Sequence, residues 1–293
     1  MPLFKNVAIL GTGFMGTSIA SVVHQKRLSN GLYGVEPNEA YRKTAMESGC
    51  YTDVCDSLSE LADLMNRSPA LENGELPSVI LVCSPVETVV DLVWHCIGAF
   101  PEAVISDIGS TKRKIVEELE IRLAQTPHRF VGGHPIAGGE SSGPVTPPDS
   151  IFTGKTFVAT PTENTDPFAL NTVEEFWKSL DCRTTRLSPE RHDRLLAVTS
   201  HLPHVNASVL SAMLESQESD FCGTGWRDST RIAKSNPLLW KEILVHNRES
   251  VLDALERFES ILAIIRRAID QNDWDTVIEV LEKGKINRDA LGN

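Results

Sequence analysis

Apolar residues follow two rhythms along this chain, and the change between them falls near Leu187. In the first part they come as short unbroken runs at 7–10, 79–83, 103–105 (a strand read on to Asp107) and 130–131, with mixed strand-like segments at 31–36, 155–160 and 184–187. A run without alternation suits a strand buried on both faces. Between the runs, about 38–48, 57–65, 87–99, 112–124 and 168–180 carry the spacing of amphipathic helices. Strands alternating with helices predict an α/β fold: a doubly wound, mostly parallel sheet over residues 1–187.

After Leu187 the strand rhythm stops. Ser188-Pro189-Glu190 reads as a helix start, with serine as cap and proline in the first turn. Apolar positions from Leu195 to Leu214 keep a helical spacing, and Pro203 is expected to kink that helix. Val251, Leu255, Phe258, Leu262, Ile265 and Ile269 step by fours and threes, the spacing of paired helices. Leu252, Ile261 and Ile264 widen that stripe beyond a simple seam. Residues 188–293 are therefore expected to form an all-helical domain that pairs with a second copy of the chain.

The first apolar run leads into Gly11-Thr12-Gly13-Phe14-Met15-Gly16, and a helical pattern follows. In this G-x-G-x-x-G, Gly11 allows the tight turn, Gly13 lets a pyrophosphate approach the main chain, and Gly16 lets helix pack on strand. The free N–H groups of the helix, those of Phe14 and Met15 among them, then face the phosphates. Glu36 closes the second strand, 20 residues after Gly16. A carboxylate there accepts from ribose hydroxyls and repels a 2′-phosphate, so NAD is expected over NADP. Arg42 and Lys43 nearby weaken that preference.

Ligands of such a sheet lie at the carboxyl ends of its strands. Gly11, Ser84-Pro85, Asp107, Ser110 and His134 all fall there and are expected to share one crevice, with Ser84, Pro85 and Asp107 on the cofactor side. His134 stands out, because Gly132, Gly133, Gly138 and Gly139 surround it and Pro135 stiffens the chain behind it. Glu140 is placed to return to the same pocket. The helical half adds Ser200-His201-Leu202-Pro203-His204 and a basic knot of Arg227, Arg231 and Lys234 beside Trp226. Arginine suits carboxylates because its planar fork meets both oxygens.

Composition narrows the partners. A net charge of −12 leaves no basic footprint for nucleic acid, so an anionic small molecule needs a local basic pocket. No stretch has the apolar length of a membrane span, and no signal peptide is read at the N-terminus. The six cysteines have no CxxC or metal-type spacing, which fits reduced thiols in a cytoplasm and no bound metal.

Taken in order, GTGFMG (11–16), CSPV (83–86), DIGSTK (107–112), GGHPIAGGE (132–140), SHLPH (200–204) and RDSTRIAKSNPLLW (227–240) resemble the prephenate/arogenate dehydrogenase family of tyrosine biosynthesis. The resemblance implies NAD-dependent oxidative decarboxylation of a dicarboxylate cyclohexadienol. It implies that His134 is the catalytic histidine that accepts a hydrogen bond from the C4 hydroxyl. Ser110 would stand near that hydroxyl and help to orient His134, and Arg231 would hold a substrate carboxylate. His201 or His204 would meet the side-chain end, with Glu140 and Trp240 at the pocket wall or entrance. No fused mutase or regulatory domain is expected, so feedback by tyrosine would act at the active site. The choice between prephenate and arogenate is left open. The rival readings are a two-domain dehydrogenase of a 3-hydroxy acid or imino acid, and a non-catalytic dinucleotide sensor.

Overall fold

The computed structural model describes residues 1–67, 76–124, 126, 128–138, 143–144 and 151–292. Its first part is one eight-stranded sheet: β1 (Phe4–Leu10), β2 (Ser29–Val35), β3 (Asp53–Cys55), β4 (Val79–Val82), β5 (Val104–Asp107), β6 (Phe130–Pro135), β7 (Thr156–Thr160) and β8 (Arg183–Arg186). The spatial order is β3-β2-β1-β4-β5-β6-β7-β8. The chain runs outward from β1 to β3 and then returns to lay β4 on the other side of β1. That reversal leaves a crevice above β1 and β4, where an open α/β sheet takes its ligand.

The strands pair in parallel from β3 through to β6. At β6 the pattern changes. Its first half pairs in parallel with β5, and its second half pairs antiparallel with β7, His134 lying opposite Val158. His134 therefore sits within β6, one residue before the strand ends at Pro135. Those glycines serve packing: a Cβ on Gly133 would lie 2.5 Å from the Phe157 ring, and one on Gly132 would lie 2.5 Å from Thr160 Oγ1. Phe157 is fully buried and stacks on Trp177 at 4.7 Å. Pro135 ends β6, where its missing N–H leaves no gap in the ladder.

Helices α1 (Phe14–Gln25), α2 (Glu39–Glu47), α3 (Leu58–Asn66), α4 (Val86–Ala99), α5 (Arg113–Leu123) and α6 (Pro167–Ser179) flank the sheet. Two apolar clusters fill its faces, one around Ile9, Leu81 and Trp177 and the other around Leu10, Val82 and Ile105. Alternate residues of β1 and β4 thus point into opposite layers, and both strands are closed to water.

The second part is helical: α7 (Pro189–Leu196), α8 (Leu202–Ala212), α9 (Thr224–Thr230), α10 (Pro237–His246), α11 (Arg248–Asp270) and α12 (Trp274–Asp289). At Pro203, where a kink is expected, the α-helical ladder is interrupted. A π-helical turn, Ala197–His201, joins α7 to α8, and Pro203 falls in the first turn of α8. In the wider turn Leu202 N donates five residues back to the Ala197 carbonyl oxygen, directly before the proline that lacks an N–H. Within one chain, the buried core of this part is small: Ala197, Val251 and Ala254. Ile261, Leu262 and Ile269 of α11 and Leu281 of α12 are about half exposed or more. No described helix is long and apolar enough to cross a membrane.

Candidate active site

A cavity of about 540 Å³ lies between the sheet ends and the helices, lined by Ser110, His134, His201, His204, Arg231 and Trp240 among others. Two of these come from the strand-and-helix half and four from the helical half. Of the expected substrate contacts, Glu140 alone is not placed, since it lies outside the described residues. Arg227 and Lys234 do not line this cavity; with Arg231 they border a separate one of about 440 Å³.

His134 is half-buried, and its Nδ1 lies 2.9 Å from Nε2 of His192. His192 Nδ1 lies 2.8 Å from Asp193 Oδ1. A carboxylate can only accept, so the His192 proton is on Nδ1 and its Nε2 accepts from His134 Nδ1. That leaves a lone pair on His134 Nε2. Burial, then the nearby His192, Lys112 and His201, hold the His134 imidazole well below the usual histidine range. The ring is thus neutral at neutral pH and able to accept a proton. The family resemblance implies Ser110 as its orienting partner. Ser110 does line the cavity, but among the described residues the ring nitrogen is engaged by His192.

His201 is fully buried. The Asn247 amide nitrogen lies 2.7 Å from the Asp193 carbonyl oxygen, which fixes the amide orientation, and 3.1 Å from His201 Nδ1. His201 Nδ1 must then accept, and its Nε2 carries the hydrogen. Burial pushes this imidazole down to about 4, against the opposing pull of Asp193. His204 stacks flat on Trp240 at 3.5 Å between ring centroids, and burial lowers it as well. The two histidines share a helical stretch in different roles: one is a neutral donor, the other an aromatic wall.

Asp107, expected as a cofactor contact, is fully buried. Its carboxylate pairs with the buried Lys112 and accepts from Gly109 N at 2.8 Å and Gly133 N at 3.2 Å. With these partners it braces the turn that carries Ser110 and does not face a ligand.

The glycine loop opens the crevice above β1 and β4. Gly11 has φ +95°, and a Cβ there would lie 2.9 Å from the Cys83 carbonyl oxygen. A Cβ on Gly16 would meet the Gly11 carbonyl oxygen at 2.0 Å, so helix and loop are in direct contact. At Gly13 a Cβ would meet nothing within 4 Å. The loop therefore offers open space before the first turn of α1. Phe14 and Met15 turn their side chains to the core, leaving their N–H groups for that space. Glu36 Oε2 accepts from Thr12 N at 3.0 Å and Thr12 Oγ1 at 3.2 Å, and Oε1 accepts from Asn38 N at 3.0 Å. It ties strand β2 to the loop and keeps lone pairs for a diol. Ser84 and Pro85 lead into α4 on the far side of the crevice, Ser84 Oγ accepting from Thr88. These features fit a dinucleotide.

Two family models match: the prephenate dehydrogenase nucleotide-binding domain over residues 19–186, and the prephenate dehydrogenase dimerization domain over residues 188–283. The chain belongs to the prephenate dehydrogenase family. It is 27% identical to a prephenate dehydrogenase of Bacillus subtilis, over 97% of this chain and 76% of the relative. It is 29% identical to a cyclohexadienyl dehydrogenase of Zymomonas mobilis, over 99% and 97%. Among solved structures it resembles a prephenate dehydrogenase from A. aeolicus in complex with hydroxyphenyl propionate and NAD+. That likeness has a TM-score of 0.86 at 33% identity, covering 98% of both chains.

The site residues that pattern reading missed are His192, Asp193, Asn247 and Lys155, the last of which reaches the cavity from the start of β7. A signal for the first two was present. His192 and Asp193 lie four and three residues before Leu196, on the apolar face of α7. Polar residues on a core-facing stripe need partners.

Proposed function

We propose that this chain catalyses NAD-dependent oxidative decarboxylation of prephenate to 4-hydroxyphenylpyruvate, or of arogenate to tyrosine. The observation that carries the reading is the single cavity in which His134 of the sheet half meets Arg231 of the helical half. Residues 1–187 hold the dinucleotide, and residues 188–293 supply the substrate grip and the contact with a second copy. The half-exposed apolar residues of α11 and α12 fit burial in a homodimer. All six cysteines are free thiols, in keeping with a reducing cytoplasm.

Gly11, Gly13 and Gly16, with the N–H groups of Phe14 and Met15, would hold the pyrophosphate. Glu36 would accept from the adenosine ribose, and Ser84 and Pro85 would border the nicotinamide side. Bound there, NAD supplies the acceptor for the hydrogen that leaves C4 with its electron pair.

The chain supplies the rest. The neutral His134 accepts the C4 hydroxyl proton at Nε2, which favours the carbonyl that develops at C4. Ser110 lines the same cavity and would hold that hydroxyl in line. Arg231 grips a substrate carboxylate through its planar fork. A grip on the departing carboxylate that was equal in ground and transition states would add nothing to the chemical step, so Arg231 acts chiefly in positioning. His201 would donate from Nε2 to the side-chain end, where the substrates carry a keto or an amino group. His204 and Trp240 form the flat wall beside it, and Glu140 is proposed at the entrance.

The test is turnover. With prephenate and NAD, equal amounts of reduced cofactor, CO2 and 4-hydroxyphenylpyruvate are expected, and kcat/KM compared with arogenate gives the preferred substrate. No product from either compound would end the reading and favour a 3-hydroxy acid or imino acid dehydrogenase, or a non-catalytic sensor.

A further inference from the structure

The base of the proposed reaction does not stand alone. His134, His192 and Asp193 form a line of side chains: Nδ1 to Nε2 at 2.9 Å, then Nδ1 to Oδ1 at 2.8 Å. The line leads away from the cavity into the interior, where His192 and Asp193 are both buried. It also crosses between the two halves of the chain, from β6 to α7. Asp193 goes further and accepts from the main-chain N–H groups of Lys112 at 2.8 Å and Arg113 at 3.0 Å, at the start of α5.

Capping α5 would account for Asp193 alone. It would not account for a fully buried imidazole held end to end between that carboxylate and the ring that faces the cavity. Two neutral histidines with no carboxylate behind them have no fixed order of protons, since either ring could donate to the other. The Asp193 carboxylate removes that freedom, because it can only accept. The order becomes Asp193 Oδ1, H–Nδ1 of His192, lone pair of His192 Nε2, H–Nδ1 of His134, and lone pair of His134 Nε2.

We propose that His192 and Asp193 are positioning residues for the reaction, a relay that fixes the base-competent tautomer of His134 and takes up the charge it acquires. The statement rests on the reading of His134 as the base. When the substrate O–H bond breaks and a new N–H bond forms at His134 Nε2, the Nδ1 proton of His134 moves toward His192 Nε2. His192 then carries the positive charge against the Asp193 carboxylate, so no isolated imidazolium is left in the buried site. The O–H electron pair stays on the substrate oxygen and becomes the carbonyl bond. The other charges facing this line are the Lys112–Asp107 pair, itself buried, and His201, held neutral beside Asn247.

The preferred measurement needs neither substrate nor cofactor. Nitrogen-15 NMR of the histidine rings in the free protein near pH 7.5 should show His134 protonated at Nδ1 and bare at Nε2. Asp193→Asn should reverse or mix that tautomer, because an amide N–H can donate to His192 Nδ1 and turn the whole line around. The same variant, and His192→Leu, should lose at least about 100-fold in kcat, the low end for an acid/base group, while NAD affinity by fluorescence titration is unchanged. A role limited to capping α5 would lower the melting temperature and leave the His134 tautomer as it was. An unchanged tautomer in Asp193→Asn, or kcat within threefold of the parent in a folded, NAD-binding variant, overturns the relay. If His134→Asn itself keeps full turnover, the base reading fails and the relay with it. If His134→Asn is inactive while Asp193→Asn is active, the relay alone fails.

Discussion

The glycine loop gives a prediction in which folding and binding separate. At Gly16 an added methyl would lie 2.0 Å from the Gly11 carbonyl oxygen, a backbone atom that cannot rotate away as the end of a side chain can. Gly16→Ala must push α1 off the loop, an overpacking cost of about 1–3 kcal/mol. Gly13 sits at φ −65° and ψ −166°, which alanine adopts without strain, and its added methyl meets nothing within 4 Å. Reduced chain entropy in the unfolded state offsets the weaker helix cap, so Gly13→Ala should change stability by no more than about 1 kcal/mol. That methyl instead stands in the open space before α1. Displacing one charge-assisted hydrogen bond to a phosphate costs about 1.5–3 kcal/mol, or roughly 10- to 150-fold in Kd. Thermal melts and NAD titration calorimetry on both variants test this. A Gly13→Ala protein that binds NAD like the parent would refute the loop as a phosphate cradle. A Gly16→Ala protein with an unchanged melting temperature would refute the packing argument.

Glu36→Gln should raise the NADP-to-NAD ratio of kcat/KM at least about tenfold, because the 2′-phosphate no longer faces a carboxylate; an unchanged ratio would leave Glu36 as a brace for Thr12 only. Stability should fall on acidification from pH 7.5 to 5. His128, His134, His192, His201, His204 and His246 are each lowered, chiefly by burial, so below about 6.5 the unfolded chain binds more protons than the folded one. This loss is absent above the unfolded value and grows as the pH drops toward the folded values. His201, falling from 6.5 to about 4, accounts for about 2 kcal/mol of it at pH 5. A melting temperature that is flat or rises over that range would contradict the burial argument. Replacing Leu262 and Ile269 with glutamate should convert the dimer to monomer in light scattering, since both are about half exposed in one chain; a persistent dimer would place the contact on another face.

Much of this fold is legible in the sequence because its central strands are buried on both faces. Seven of the eight strands announce themselves as unbroken apolar runs or as the borders of helical segments. β3, three residues at the sheet edge, gives no such run. The antiparallel pairing of β7 is invisible for another reason: an antiparallel strand that is covered on both faces has the same pattern as a parallel one. The glycines at 132 and 133 mislead in an instructive way. Glycine marks a close approach, but the sequence does not say whether a ligand or a Phe157 ring makes it. The cavity-lining residues from SHLPH and from Arg231 to Trp240 stand out as polar or aromatic clusters in apolar helices. His192 and Asp193 give only the weaker sign of two polar residues on the buried stripe of α7, and their partners Lys112, Arg113 and His134 are distant in sequence.

The central claim is that a neutral imidazole from β6 works on a substrate gripped from the helical half. It is tested most directly by the turnover of His134→Asn with prephenate and NAD at saturating concentrations. The account predicts a loss of at least about 100-fold in kcat with NAD binding intact. Turnover within a few-fold of the parent would contradict it.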